Sequence, residues 1–156
     1  DEKAEIVKGY GATPINYRNL SVTQYVEEYT NQKGFDVVFD TVGGDNLMRS
    51  FEASKLEGRV TSVNTRITCD LSILHQKALS LHVVFMIIPI LYNQDKGKAQ
   101  HGKILNEIVR GVESEDITPL IHKEVFPFKK VSEAHSLLES GKATGKIVLR
   151  GFDISD

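Results

Sequence analysis

Residues 35–42 read FDVVFDTV and run directly into Gly43-Gly44. A nearly continuous apolar run of this length suits a strand covered on both faces, as in the centre of a parallel sheet. Residues 59–63, 82–88 and 146–149 are further strand candidates. Residues 14–17 are a weaker one, because Pro14 cannot complete a ladder. Longer stretches with helical spacing separate these runs, and that alternation argues for βα units around a parallel sheet.

The helical stretches carry their own boundaries. Ser21 and Gln24 form an S-x-x-Q capping box, after which Val22, Val26 and Tyr29 recur on one face until Gly34. Asp45 is placed to cap a second helix with Leu47, Met48 and Phe51 on its stripe. Ile104, Leu105, Ile108, Val109 and Val112 define a third, and Ser132 starts a fourth with Ala134, Leu137 and Leu138 inward and Gly141 as its stop. Gly43-Gly44, Gly58 and Gly97 read as short turns within one domain, with no repeat or long linker.

Composition narrows the function classes. With 156 residues, 40% of them apolar, the chain is long enough for one ordinary domain with its own core. Nineteen basic against 21 acidic side chains leave a charge of -2 and no basic run suited to a phosphate backbone, so nucleic acid is not an expected partner. The longest apolar run, residues 83–91, is broken by Pro89 and falls short of the ~20 residues a membrane helix needs. No secretory signal opens the chain, and the single Cys69 excludes an internal disulfide framework, which makes the cytoplasm the expected compartment.

Four stretches, taken in order, resemble the medium-chain dehydrogenase/reductase superfamily of zinc-type alcohol dehydrogenases and quinone oxidoreductases. They are DEKAEIVKGYGA at 1–12, GFDVVFDTVGG at 34–44, GRVTSV at 58–63 and LLESGKATGKIVL at 137–149. The resemblance implies an α/β, Rossmann-like parallel sheet with flanking helices. It also implies truncation at the N-terminus: the first two strands and the glycine-rich turn would be missing. Residues 1–156 would then be a partial nucleotide-binding domain without its catalytic domain. The D-T-V-G-G form is most similar to the zinc-independent quinone-reductase branch, which implies NADPH in preference to NADH.

The resemblance also assigns contacts. Lys3 matches the lysine that meets the adenosine 2′-phosphate, with Arg18 as a second cation, and Tyr17 matches the aromatic residue closing the adenosine pocket. An exposed lysine at a helix start is also commonly just solvated. Thr41, Val42 and Gly43 lie at a strand's carboxyl end, where open α/β sheets bind ligands. Gly43-Gly44 there either admits a nucleotide or merely turns strand into helix. Ser62 and Asn64 would line the same crevice, although Asn64 could equally satisfy its own turn. Gly145 lies in a turn that closes over the cofactor in relatives, while Lys146 is either a contact or a charged edge position. Met86 and its neighbours would lie near the nicotinamide and at a dimer edge, or be ordinary core; the family implies a homo-oligomer.

Other parts are absent from the sequence. No G-x-G-x-x-G turn is present to hold a pyrophosphate. His75, His82, His101, His122, His135 and Cys69 show no zinc-ligand spacing, so no zinc is expected on this chain. Asp40 is expected to accept backbone hydrogen bonds rather than act as a catalytic carboxylate. No catalytic residue is assigned, since the nicotinamide carries the hydride chemistry. Without strands one and two, one side of the 35–42 strand would be left unpaired. The expectation is the cofactor-binding part of an NADPH-dependent oxidoreductase acting on a quinone, enone or small carbonyl compound, the chain alone being inactive. The alternatives are a non-catalytic nucleotide-binding or interaction module, or the enoyl-reductase domain of a synthase.

Overall fold

The computed structural model describes residues 2–151, so Asp1 of the first resembling stretch lies outside the described residues. The chain divides into two compact units, Asp1–Asn93 and Gln94–Asp156. Each contains its own parallel sheet.

In the first unit α1 (Glu2–Gly9) and α2 (Val22–Thr30) precede β1 (Phe35–Asp40), which is followed by α3 (Asp45–Ala53), β2 (Ser54–Ser62), α4 (Ser72–Lys77), β3 (Ser80–Val83) and α5 (Ile88–Leu91). The capping box forms: Gln24 N–H donates to the Ser21 hydroxyl, and Ser21 N–H donates to the Gln24 side chain at 2.8 Å. α2 stops earlier than Gly34, at a left-handed Asn31. Asp45 is the first residue of α3 rather than its cap, with Gly44 before it and no side-chain cap bond. Its carboxylate still lies where the helix dipole favours negative charge.

The sheet order is β1-β2-β3, and all three strands run parallel. Register places Val38 beside Val60 and Val60 beside Leu81, a row on which α3 seats Leu47 and Phe51. Phe51 and Val60 are fully buried, and the contribution of burying Phe51 is about 3 kcal/mol. β2, not β1, is the central strand. The expectation that the 35–42 run is covered on both faces fails for one face: Val37 and Phe39 are 59% and 62% exposed. An unbroken apolar run gives both faces of a strand equal hydrophobicity, but the core cluster of α3 and β2 packs against Val38 and leaves Val37 and Phe39 out.

Three further expectations change. Residues 14–17 form no strand, and Asn16 instead accepts a hydrogen bond from Arg18 N–H in a local turn. The strand expected at 82–88 is Ser80–Val83, because the chain then turns into α5, whose first turn takes Pro89. β2 begins five residues before the 59–63 run, with an irregular register near Gly58.

The second unit contains α6 (Asp95–Glu113), β4 (Ile121–Pro127), a single 3-10 turn (Phe128–Lys130), α7 (Val131–Glu139) and β5 (Lys146–Arg150). Gly97 is inside α6 rather than in a turn. β4 and β5 pair in parallel across α7, giving one βαβ unit in which Phe126 and Ala134 are buried. α7 starts at Val131, one residue before Ser132, and Leu138 is 60% exposed rather than inward. β4 had no clear sequence signal, since His122, Lys123 and Glu124 interrupt its apolar residues.

Candidate functional site

Because β1, β2 and β3 are parallel, their carboxyl ends share one end of the sheet. Asp40 ends β1 and faces Ser62, its register partner at the end of β2. One carboxylate oxygen of Asp40 accepts from Val42 N–H at 3.1 Å, Gly43 N–H at 3.0 Å and the Asn46 amide at 2.8 Å. The other accepts from the Ser62 hydroxyl at 3.0 Å. Asp40 is thus an acceptor within the fold, as its position at a strand end suggested. It is 2% exposed, and every donor is neutral. Burial pushes its pKa up, but the donors from Gly43, Asn46, Val42 and Ser62 outweigh that and hold it below the ordinary carboxylate value.

Asn64 closes the arrangement from β2. Its N–H donates to Ser62 Oγ at 3.2 Å, and its side-chain amide donates to the Val42 carbonyl at 3.2 Å. The Asn64 side chain thus satisfies backbone of the other strand's turn rather than its own. Gly43 has φ +76°, and a Cβ on it would strike the Asn64 carbonyl and lie 2.7 Å from the Asn64 side chain. Its lack of a side chain is therefore used against Asn64.

The structure brings Thr41, Val42, Gly43, Ser62 and Asn64 to this one sheet end, with Thr41, Val42 and Asn64 exposed. Ser62 is turned the other way. Its hydroxyl is fully buried and engaged with Asp40 and Asn64, so it is not presented to a ligand. Beside the strand ends opens a cavity of about 510 Å³ lined by Val63, Asn64, Thr65, Arg66, Val83, Val84 and Phe85. Met86 itself is 68% exposed.

Lys3, Tyr17 and Arg18 come together in another groove, of about 400 Å³, floored by Val7, Pro14 and Ile15. Tyr17 also borders a third cavity of about 510 Å³, between α2 and α3, where Tyr25, Asn46 and Arg49 contribute polar groups. Gly145 belongs to the second unit. At φ +82° it lies so close to β4 that a Cβ would be 2.6 Å from the Leu120 carbonyl, and Lys146 N–H donates to that same carbonyl at 2.8 Å. The preceding Thr144 has its carbonyl 3.1 Å from His122 Nδ1.

Sequence reasoning missed Asn46, Arg66 and the role of Lys77. The Lys77 ammonium donates to the carbonyls of Phe51, Glu52 and Ser54 at 3.2, 2.7 and 2.9 Å, so it closes the carboxyl end of α3. Partial burial lowers its pKa. The only sequence signal for Asn46 is its position in the first turn after the glycine pair. Lys77 and Ser62 act across more than twenty residues, beyond any local pattern. For zinc, the described residues contain no group of three or more His, Cys, Asp or Glu side chains able to hold a metal. The donor set present therefore does not fit that ion.

Residues 10–149 match the zinc-binding dehydrogenase family. A Schizosaccharomyces pombe protein named "Probable quinone oxidoreductase" is 27% identical over 143 residues, covering 92% of this chain and 42% of that protein. A reducing polyketide synthase of Gibberella moniliformis is 28% identical over 151 residues, which is 95% of this chain and 6% of the synthase. Among solved structures, an alcohol dehydrogenase superfamily protein from Novosphingobium aromaticivorans superimposes with a TM-score of 0.86 at 29% identity, covering 96% of this chain and 46% of that one. The chain thus spans less than half the length of each of these relatives.

Proposed function

This chain belongs to the zinc-binding dehydrogenase family, and on that premise we propose that it is the cofactor-binding part of an NADPH-dependent oxidoreductase. The acceptor of the hydride is a quinone, an enone or another small carbonyl compound. The observation that carries this reading is the shared carboxyl end of three parallel strands, with exposed Thr41, Val42 and Asn64 beside an open cavity. When bound, the nicotinamide nucleotide supplies the hydride chemistry.

The chain's residues bind and orient. The Lys3 ammonium and the Arg18 guanidinium, in one groove with Tyr17, suit an adenosine carrying a 2′-phosphate. Thr41, Val42, Gly43 and Asn64 form the wall at the strand ends. No side chain is assigned an acid or base role, and no step is routed through zinc. The run of exposed apolar side chains at 83–88 supports a homo-oligomer. Among the described residues no helix is long and apolar enough to cross a membrane; the cytoplasm is the proposed compartment.

The test is a calorimetric titration of the chain with NADP⁺ and NAD⁺, repeated with Lys3→Ala. Loss of a charge-assisted phosphate contact weakens NADP⁺ binding about tenfold and leaves NAD⁺ unchanged. Equal losses for both nucleotides would remove Lys3 from the phosphate. Likeness to a reducing polyketide synthase favours a second reading, an enoyl-reductase part of a synthase. Assaying the whole parent protein with an enoyl thioester and with quinones separates the two, and no turnover with any acceptor would favour a non-catalytic nucleotide-binding module.

A further inference from the structure

The Asp40 carboxyl is 2% exposed, its donors favour the charged form, and no charged partner lies in its hydrogen-bond shell. Burying a charge without a counter-ion costs several kcal/mol unless hydrogen bonds compensate. Cores achieve the same packing more cheaply with an apolar side chain, so the arrangement calls for a use. Each of its donors comes from a part of the strand-end site: the 41–43 turn, the first turn of α3, and the end of β2. Ser62 is the one donor from the neighbouring strand, and its oxygen also receives Asn64 N–H. The two turns are then locked to each other by the Asn64 amide on the Val42 carbonyl, with Gly43 pressed on Asn64.

We propose that Asp40 and Ser62 are the positioning residues of the nucleotide site: together they fix the 41–43 backbone and Asn64 in the geometry that receives the ligand, without touching it. The proposal rests on the reading of this sheet end as a nucleotide site. Preorganisation of this kind removes an ordering cost from binding, so its loss appears in affinity. The described elements packed on β1 include β2, α3 and, through Tyr25 against Phe35 at the other end of the strand, α2. The groups they and the adjoining turn direct at the carboxylate are neutral, namely Ser62, Asn46 and two backbone amides.

The experiment compares Ser62→Ala with Lys77→Ala in the full chain. Lys77→Ala loosens the far end of α3 and serves as a control for lost stability, being remote in sequence and role from the strand-end turns. Calorimetric titration with NADP⁺ is expected to show about fivefold weaker binding for Ser62→Ala and unchanged binding for Lys77→Ala, at similar losses in melting temperature. The amide-proton resonances of Val42 and Gly43, which report their bonds to the carboxylate, are expected to move in Ser62→Ala alone. Affinity that simply follows melting temperature in both variants overturns the proposal, as does Ser62→Ala with unchanged affinity. Should neither the unaltered chain nor the whole parent protein bind NADP⁺, the nucleotide reading fails. The positioning claim is then decided separately by the amide resonances: unmoved in Ser62→Ala, they overturn it as well.

Discussion

The two ends of β1 each carry an aspartate, and they are held by opposite means. Asp36 at the amino end is exposed and pairs with the Lys55 ammonium at 2.6 Å, and that partner lowers its pKa. Asp40 at the carboxyl end is buried, and it is lowered by neutral donors against the opposing effect of burial. An exposed ion pair loses most of its attraction to solvent and salt. A buried carboxylate cannot lose its donors without leaving them stranded. Equal directions of pKa shift therefore hide very different structural weight.

Removing each carboxylate tests that contrast. Asp40→Ala leaves two amides, the Asn46 side chain and the Ser62 hydroxyl without their acceptor, and a loss of about 3 kcal/mol is expected in urea unfolding. A loss no larger than that of an ordinary surface substitution would show that water reaches these donors. Gly43→Ala probes the same end from the backbone. Its positive φ and the collision with Asn64 together cost about 2 kcal/mol, measured in the same way, and Asn64→Gly in the same chain should recover part of it.

The acid limb gives a smaller effect of definite sign. Asp40 has its folded pKa below its unfolded value, so the stability it contributes is fully present above the unfolded value, about 3.9, and is lost as pH falls through the folded one. Asp40→Asn should therefore flatten the fall in melting temperature at acid pH relative to the unaltered chain. Asp36 has the same sign, but its exposed pair makes the least difference. Asp36→Ala should leave the melting temperature within experimental error, and 1 M salt should erase any residue of an effect. A large, salt-resistant loss there would equalise the two ends.

The sequence made part of this site legible and left part of it hidden. The alternation of apolar runs with amphipathic helices identified the parallel α/β architecture, and Ser21 with Gln24 marked the start of α2 to the residue. The glycine pair after the 35–42 run pointed to the strand-end turn, because only a few residue types accept that backbone. Which face of β1 is covered was not legible, since Val37, Val38 and Phe39 are equally apolar while their burial depends on elements elsewhere. Ser62 looked like a ligand contact because a hydroxyl at a strand end is available in principle. Its inward direction depends on Asp40, twenty-two positions away, and no local pattern encodes such a partner. β4 was hidden by its polar centre and becomes a strand through pairing with β5.

The Lys77 ammonium on the carbonyls of α3 also bears on the order of assembly. Residues 51–54 cannot obtain these bonds until the chain has continued through β2 and α4 and returned. Closing a loop of that length carries an entropic cost before any contact rewards it. The first turns of α3, seated by the 40–46 hydrogen bonds, are local and can form early. Its last turn should mature late, with the docking of α4, so one short helix would acquire its two ends at different stages of folding.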